Sequence, residues 1–583
     1  MSVRHEPFFL ADIVHPLTQN KITGLFTDPE TVLRANTPED IQPVLKKIDE
    51  YSKKGKYLAG YISYEAGCIM AGLKVRDLPE SPLIWFGVFS KPAPYEFLTS
   101  RGDYYFSALK EGIGNDEYAK AFHMIKSCIS NGIVYQINYT FPLKFQLFGD
   151  TESFFYDLKV NQNSQYNFMI GFENQNILSL SPELFFYKNS DRIWVKPMKG
   201  TAGRSADKKE DRENRQNLLT SSKNRAENAM ITDILRNDLG KICSNGTVNV
   251  DRFLDIEEYP TLYQMTSTVT GILEKDASYE KIFKALLPCA SVTGAPKLEA
   301  IKQIRVLERE NRGVYTGAIG MIYPDGEAVF NVAIRTMRLR NHNGILNVGG
   351  GIVHDSDLHK EHEEALLKSN FTRVLQKPFY LFETMLLRNG KIRLCSLHLD
   401  RMRKSSKYFQ FNFPEKDILT EFEKLKKRFT GSHRVKLTLN PEGAFSITSE
   451  PVSIVKKIYK IRISKYQVSP ENEFIYHKTS FRDTYDNEYK DALKNNFDEV
   501  LFVNNNGMVT ECSIHNIIAK INSRWITPER SSGLLPGTLR QYLLDRSFLV
   551  EAPLMLKDIL QAESVAVINS LRGINKAKIY SEP

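Results

Sequence analysis

The first 375 residues alternate between short apolar runs and longer stretches of helical periodicity. GYISYEAG (60–67), SPLIWFGVF (81–89), NILSLSPELFFY (176–187) and RIWVKP (192–197) read as strands, and residues 116–132, 223–240 and 295–310 read as helices. These elements do not repeat as βαβ units, so the pattern predicts an α+β module with large sheets. A break follows: the helical run KEHEEALLKSNFTRVL (360–375) meets Gln376, Lys377 and Pro378, and proline after a helix fits a stop. Beyond it, FYLFETMLLRNGKIRLC (379–395) predicts two extended runs joined by Asn389-Gly390, a pair suited to the two positive φ angles of a tight hairpin. Two modules are expected, residues 1–375 and 379–583, joined by only a few residues.

Length and composition agree with that division. A chain of 583 residues with 42% hydrophobic, 25% charged and 11% aromatic residues is long enough for several cores. Its makeup argues against disorder, and no window reaches a membrane span. The start carries Glu6 and Asp12 and no long apolar core, so neither a secretory signal nor a transit peptide is expected, and a cytoplasmic location is. The net charge of +9 is spread along the chain, and basic runs such as Lys426, Lys427, Arg428 have acids nearby, so no nucleic-acid partner is expected. The six cysteines are scattered, with no CxxC pair and no histidine at metal spacing, which predicts neither a zinc site nor a disulfide framework.

Candidate chemistry in the first module begins with acids. Glu361 and Glu364 lie one turn apart on a predicted helix and face the same way, and Glu227 sits at the edge of the apolar stripe of another. Three such carboxylates would suit Mg²⁺, although helices carry paired glutamates on solvated faces just as readily. PMKGTAGR (197–204) places Lys199 with glycines at the end of a strand, and SPELF (181–185) places Glu183 at the end of another. Taken alone, Lys199 reads as a surface lysine, protonated and non-nucleophilic at neutral pH. Glycines 294, 317, 320, 349, 350 and 351 are expected in short turns whose N–H groups can point at an anion.

Taken together and in order, these blocks resemble the chorismate-utilising enzymes, including anthranilate, aminodeoxychorismate, isochorismate and salicylate synthases. The resemblance covers roughly residues 50–375 and adds YQINYT (135–140), SVTGAPK (291–297), RGVYTGAIG (312–320), FNVAIRT (330–336) and GGGIVHDSDLHKEHEE (349–364). It implies the layered fold of anthranilate synthase component I, with the site between its sheets. It also implies Mg²⁺ held by Glu227, Glu364 and the nearby Glu361. The substrate would be chorismate, met by Tyr315, Arg335, Thr293, Gly294 and the N–H groups of Gly349, Gly350 and Gly351.

Within that family, lysine before Gly200-Thr201 resembles aminodeoxychorismate synthase. The resemblance implies that Lys199 attacks C2 of the ring as C4 loses its hydroxyl, that Glu183 protonates the departing oxygen, and that ammonia then adds at C4. A lysine acting as base toward water, as in isochorismate and salicylate synthases, remains the alternative. Two positions depart from the pattern. Gln264 stands where many relatives have histidine, which weakens proton transfer there. Cys289-Ala290 stands where they often have Gly-Gly, and Cys289 is given no catalytic role. None of the six cysteines lies in the Gly-x-Cys-x-Gly elbow of a class I glutamine amidotransferase, so ammonia is expected from a separate glutaminase subunit.

The second module resembles class IV, pyridoxal-phosphate-dependent aminotransferases and aminodeoxychorismate lyases, with an α/β fold. The blocks are LFETM (381–385), SLHLDRM (396–402), YHKTSFRDTY (476–485), EVLFVNNNGMVTECSIHNI (499–517), LLPGTLR (534–540) and INSLRGI (568–574). The resemblance implies a Schiff base at Lys478 and an acid, Glu511, at the pyridine nitrogen. It implies a phosphate cup of Arg401, Gly537, Thr538 and Ser570, with Arg572 and His477 as candidates for the pocket wall. Fusion of the two activities implies 4-aminobenzoate, a folate precursor, as the product. A homodimer through the second module is a further expectation. The competing readings are an anthranilate synthase with an appended aminotransferase and a catalytically silent docking domain.

Overall fold

The computed structural model describes residues 7–95, 102–205, 207–258 and 262–580. The chain separates into two units at Val374/Leu375, except that the short segments Gly102–Tyr105 and Phe148–Asp150 group with the second unit. There, Tyr105 meets Phe379 at 4.6 Å and Phe148 meets Phe409 at 5.1 Å.

In the first unit the described strands form two ten-stranded sheets. The long strands Gln136–Gly149 and Asn343–Ile352 lie at one end of the first sheet, and the strands Phe8–Val14 and Lys21–Thr27 at the other. The second sheet runs from Met198–Gly203 through Leu262–Ile272 to Ile84–Phe89 and Thr31–Ala35. Apolar faces of both sheets share one core: Phe9, Phe168 and Ile170 from the first pack with Tyr61, Trp85 and Ile319 from the second. Trp85 is fully buried and stacks on Phe172 at 5.2 Å and 18°, worth about 1 kcal/mol beyond the area it removes from water. The other face of the second sheet buries Phe86, Phe186 and Phe330 against Ile41, Leu45, Ile231, Leu235 and Phe283 of three helices.

Several strands differ from their sequence-based expectation. The run 176–187 is two strands, Gln175–Ser181 in the first sheet and Leu184–Asn189 in the second, because Pro182 cannot donate to a ladder and the chain changes sheet there. The FNVAIRT run breaks in the same way: Ala328–Val332 belongs to the second sheet and Thr336–Arg340 to the first. In GYISYEAG the strand stops at Ile62, and Ser63 caps the helix Tyr64–Met70 through the N–H of Ala66. Glycines 349–351 form no turn; they are the end of the strand Asn343–Ile352, paired with Thr140, Tyr139 and Asn138. Gly320 likewise lies within a strand, Ala318–Ile322.

The second unit holds a four-stranded and an eight-stranded sheet among its described residues. The strand Leu381–Arg388 and the short Lys391–Ile392 make the hairpin, and Asn389 and Gly390 both have positive φ, 51° and 70°. Leu381, Met385, Val435 and Leu437 pack against Leu399, Met402 and Phe409 of the helix Cys395–Phe409. The eight-stranded sheet carries Glu499–Asn504 and Val509–Cys512 at one edge. No helix among the described residues is long and apolar enough to cross a membrane.

Candidate active sites

In the first unit, the two chain passes that change sheet run side by side. Ser179 pairs with Thr336 in the first sheet and Leu184 with Asn331 in the second, and the N–H of Val332 donates to Glu183 O while that of Leu180 donates to Arg335 O. Glu183 and Arg335 therefore occupy the seam where both passes bend. A cavity of about 630 Å³ opens there, with walls from both sheets and from the helices Ser222–Leu239 and Leu358–Leu367. Arg335 is held at φ 49°, unusual for a side chain of its size, and strain of this kind gathers at functional sites. Among the described residues its guanidinium has no carboxylate partner, and burial lowers it to about 10. A half-buried cation without an anion is a fitted place for one.

Lys199 reaches the same cavity from a β-bulge. Met198 pairs with Thr266 and Thr201 with Gln264, so Lys199 and Gly200 together face Met265 alone. Burial lowers the lysine, Glu227, Glu183 and Glu364 oppose that, and the charge of Lys368 adds to it. Glu183 is buried and pushed up to about 7 by desolvation, against the hydroxyl of Ser291 and the charge of Lys199. The site thus pairs an amine that loses its proton easily with a carboxyl that keeps one. Cys289 is buried and pushed up to about 12, an inert thiol.

All three expected metal ligands line the cavity, but among the described residues no group of three acids is gathered closely enough to hold a metal. Glu361 is buried and accepts from Ser356 Oγ at 2.7 Å, while Glu364 pairs with Lys368 at 3.1 Å and Lys223 stands 3.9 Å from Glu361. Two lysines thus neutralise carboxylates whose hard oxygens are donors of the kind Mg²⁺ takes. The helix that supplies Glu361 and Glu364 starts at Asp357, whose side chain accepts from the N–H groups of His359 and Lys360.

Tyr315, Gly349, Gly350 and Gly351 also line the cavity. Thr293 and Gly294 do not. The Thr293 hydroxyl closes its own turn on Cys289 O and Ala290 O, and Gly294 pairs with Ile137 so tightly that a Cβ would stand 2.2 Å from Gln136 O. Their neighbours Ser291 and Val292 form the wall instead. Sequence reasoning missed Lys368, Lys223, Asn138 and Asn347, which also line it. Lys368 had a legible signal, since it lies four residues after Glu364 on the same helical face; Asn138 and Asn347 are brought in only by strand pairing.

In the second unit Lys478 lies where the two sheets meet: Phe382 N donates to Lys478 O, and the ammonium sits 4.7 Å from the centre of the Phe382 ring. Burial, with Arg482 and Arg401 nearby, lowers it to about 7. Glu511 is buried, pushed up to about 7 by desolvation, and among the described residues accepts from two neutral donors, Leu535 N at 3.0 Å and Asn516 Nδ2 at 3.2 Å. A carboxyl in this state gains from a cationic N–H, and a protonated ring nitrogen supplies one.

Arg401 binds Glu383 with two hydrogen bonds and donates to Pro536 O at 3.1 Å, so part of its guanidinium remains for an anion. His398 donates from Nδ1 to Glu383 at 2.6 Å, and its Nε2 lies 3.2 Å from Thr538 Oγ1. Burial lowers His398, and its Nε2 and the Thr538 hydroxyl share a hydrogen bond that either can donate. Ser570 Oγ reaches Thr384 O at 3.4 Å, and Gly537 passes so close to Asn516 that a Cβ would stand 1.9 Å from its Oδ1.

His477 is packed against Tyr408 and Phe409, donates to or accepts from Ser405, and is lowered to about 4 by burial, with Arg530 adding to it. Arg572 acts on Tyr459 and Tyr489. Sequence reasoning missed Glu383, His398 and Arg482. Glu383 was legible as an acid on the inward face of an otherwise apolar strand, flanked by Leu381 and Met385.

Residues 94–373 match the family model for chorismate binding enzyme, and residues 380–579 that for amino-transferase class IV. Anthranilate synthase component 1 of Saccharolobus solfataricus is 31% identical over 327 residues, which is 53% of this chain and 77% of that protein. The chain belongs to the chorismate-binding enzymes. A class IV aminotransferase module follows. Aminodeoxychorismate synthase component 1 of Klebsiella aerogenes is 32% identical over 294 residues, 50% of this chain and 64% of that protein. Anthranilate synthase component I from Streptococcus pneumoniae shares the fold of the first unit, with a TM-score of 0.52 at 23% identity over 64% of this chain and 94% of that one. The first unit of this chorismate-binding enzyme thus has the anthranilate synthase component I-like fold.

Proposed function

We propose that the chain turns chorismate and ammonia into 4-aminobenzoate and pyruvate in two steps, amination at C4 in the first unit and loss of pyruvate in the second. The observation that carries this reading is Lys199, with its lowered affinity for a proton, in one cavity with the proton-holding Glu183 and the unpaired Arg335. Arg335 takes one carboxylate of chorismate in a bidentate grip. Glu227, Glu361 and Glu364 would hold Mg²⁺, which supplies a positive charge for the other carboxylate. Lys199 Nζ forms a bond to C2 as the C4–O bond breaks, and Glu183 passes its proton to the leaving hydroxyl, which departs as water. Ammonia then bonds to C4, Lys199 leaves C2 with the electron pair, and the surplus proton returns to Glu183. A separate glutaminase supplies the ammonia.

In the second unit Lys478, Glu511, Arg401, the Gly537-Thr538 backbone and Ser570 would hold pyridoxal phosphate, which supplies an electron sink for the charge left on the ring carbon. Lys478 Nζ, near neutrality at about 7, takes the proton from C4. Glu511 keeps its partner nitrogen protonated. The Phe382 ring and the enclosing sheets exclude water from the amine.

Product analysis with chorismate, Mg²⁺, ammonium and pyridoxal phosphate tests both steps. 4-Aminobenzoate is expected. Anthranilate or isochorismate as the product would overturn the first assignment, and accumulation of 4-amino-4-deoxychorismate would overturn the second.

A further inference from the structure

Gln264 lies on the strand Leu262–Ile272, and the structure gives its amide a defined task. The bulge in the strand Met198–Gly203 puts one extra residue opposite Met265, and it turns Gly200 to a φ of 84°. A Cβ there would stand 2.9 Å from Asn224 and 3.1 Å from Leu218, so only glycine fits. An extra residue leaves the local ladder disrupted and its backbone groups in need of partners. Gln264, paired across the sheet with Thr201, supplies one: its Nε2 donates to Gly200 O at 2.7 Å. Its Oε1 accepts from Thr201 Oγ1 at 2.9 Å. Both ends of the buried amide are engaged, on the two residues that follow Lys199. The orientation is determined by Gly200 O, since a flipped amide would set its own oxygen against that carbonyl and lose the bond.

We propose that Gln264 is a positioning residue for Lys199, a clasp that closes the bulge and holds the lysine amine in the cavity. This rests on the reading of Lys199 as the nucleophile. A histidine at this position offers two ring nitrogens pointing apart and cannot serve a carbonyl and a hydroxyl on adjacent residues in the same way. Gln264 thus supplies fixed geometry, and misplacing a reacting amine by about 1 Å costs roughly a hundredfold in rate.

The test uses the full-length chain with Gln264→Met, which keeps the length and removes both bonds, and Thr201→Val, which removes one. Turnover of chorismate with ammonium should fall on the order of a hundredfold for Gln264→Met and less for Thr201→Val, with KM for chorismate unchanged in both. In parallel, amine labelling of Lys199 is followed against pH by mass spectrometry. Its midpoint should rise in Gln264→Met toward that of a free lysine, ~10.4, as the amine escapes the burial and the Lys368 charge that lower it. A Lys199 labelling curve identical to wild type, or a KM that rises while kcat holds, overturns the proposal. If the wild-type chain makes no aminated product, the proposed function fails, whereas the labelling comparison still decides the clasp. Should Gln264→Met fail to fold, Thr201→Val carries both readouts.

Discussion

Arg401 grips Glu383 through two parallel hydrogen bonds, Nε to Oε1 and Nη2 to Oε2, both 2.7 Å, and the carboxylate is buried. Burial alone would raise the Glu383 pKa, but Arg401 and His398 overcome it and hold it at about 2. Because the folded value lies below the ordinary 4.5, the stability this group contributes is fully present above 4.5 and is lost as pH falls toward 2. Glu383→Gln leaves Arg401 without its counter-charge and should cost about 3 kcal/mol. Urea unfolding followed by a probe in the second unit should show a lower midpoint near neutrality, and the gap from wild type should close as pH falls from 4.5 to 2. A gap independent of pH would contradict the assignment.

Glu183 and Lys199 set opposite limbs of the pH profile for the first step. Glu183 must hold a proton, so turnover should decline as pH rises past about 7. Lys199 must be free of one, so turnover should decline on the acid side, at lower pH than for an ordinary lysine. At constant free ammonia, Glu183→Gln should lose roughly 10²- to 10⁴-fold in kcat and lose the alkaline limb. Persistence of that limb in the variant would assign it to another group.

Among the described residues no carboxylate meets Arg335, and in the proposed reaction the substrate brings one. Arg335→Lys keeps the charge but loses the fork, and KM for chorismate should rise on the order of tenfold or more, with a smaller change in kcat. Steady-state kinetics at saturating ammonium read this directly.

The two lysines should separate the two steps. Lys199→Ala should abolish consumption of chorismate and leave conversion of supplied 4-amino-4-deoxychorismate intact; Lys478→Ala should do the reverse. Pyridoxal phosphate added to Lys478→Ala should give none of the visible absorbance band of a lysine-linked cofactor. Loss of both activities in either single variant would show that the units do not work independently.

Much of the local structure was legible before any coordinates. The helices Asn115–Ser130, Ser222–Leu239 and Lys297–Leu307 follow from a 3.6-residue period, and the Asn389-Gly390 hairpin follows from turn chemistry, because both signals lie within a few neighbouring residues. The identities of Lys199, Glu183, Arg335 and Lys478 as candidates were also legible, since ordered blocks of residues mark them.

What the sequence alone determined, then, is which side chains are candidates for chemistry and which segments are helical. Only the tertiary structure decided how they meet. The runs through Pro182 and Arg335 each look like a single strand, and their change of sheet depends on partners about 150 residues away in the chain. The Lys199 bulge exists only relative to the strand that carries Gln264, and the engagement of Thr538 only relative to His398. Backbone pairing and burial between distant segments leave no periodic trace in either one, so register, proton affinity and hydrogen-bond direction had to come from the assembled fold.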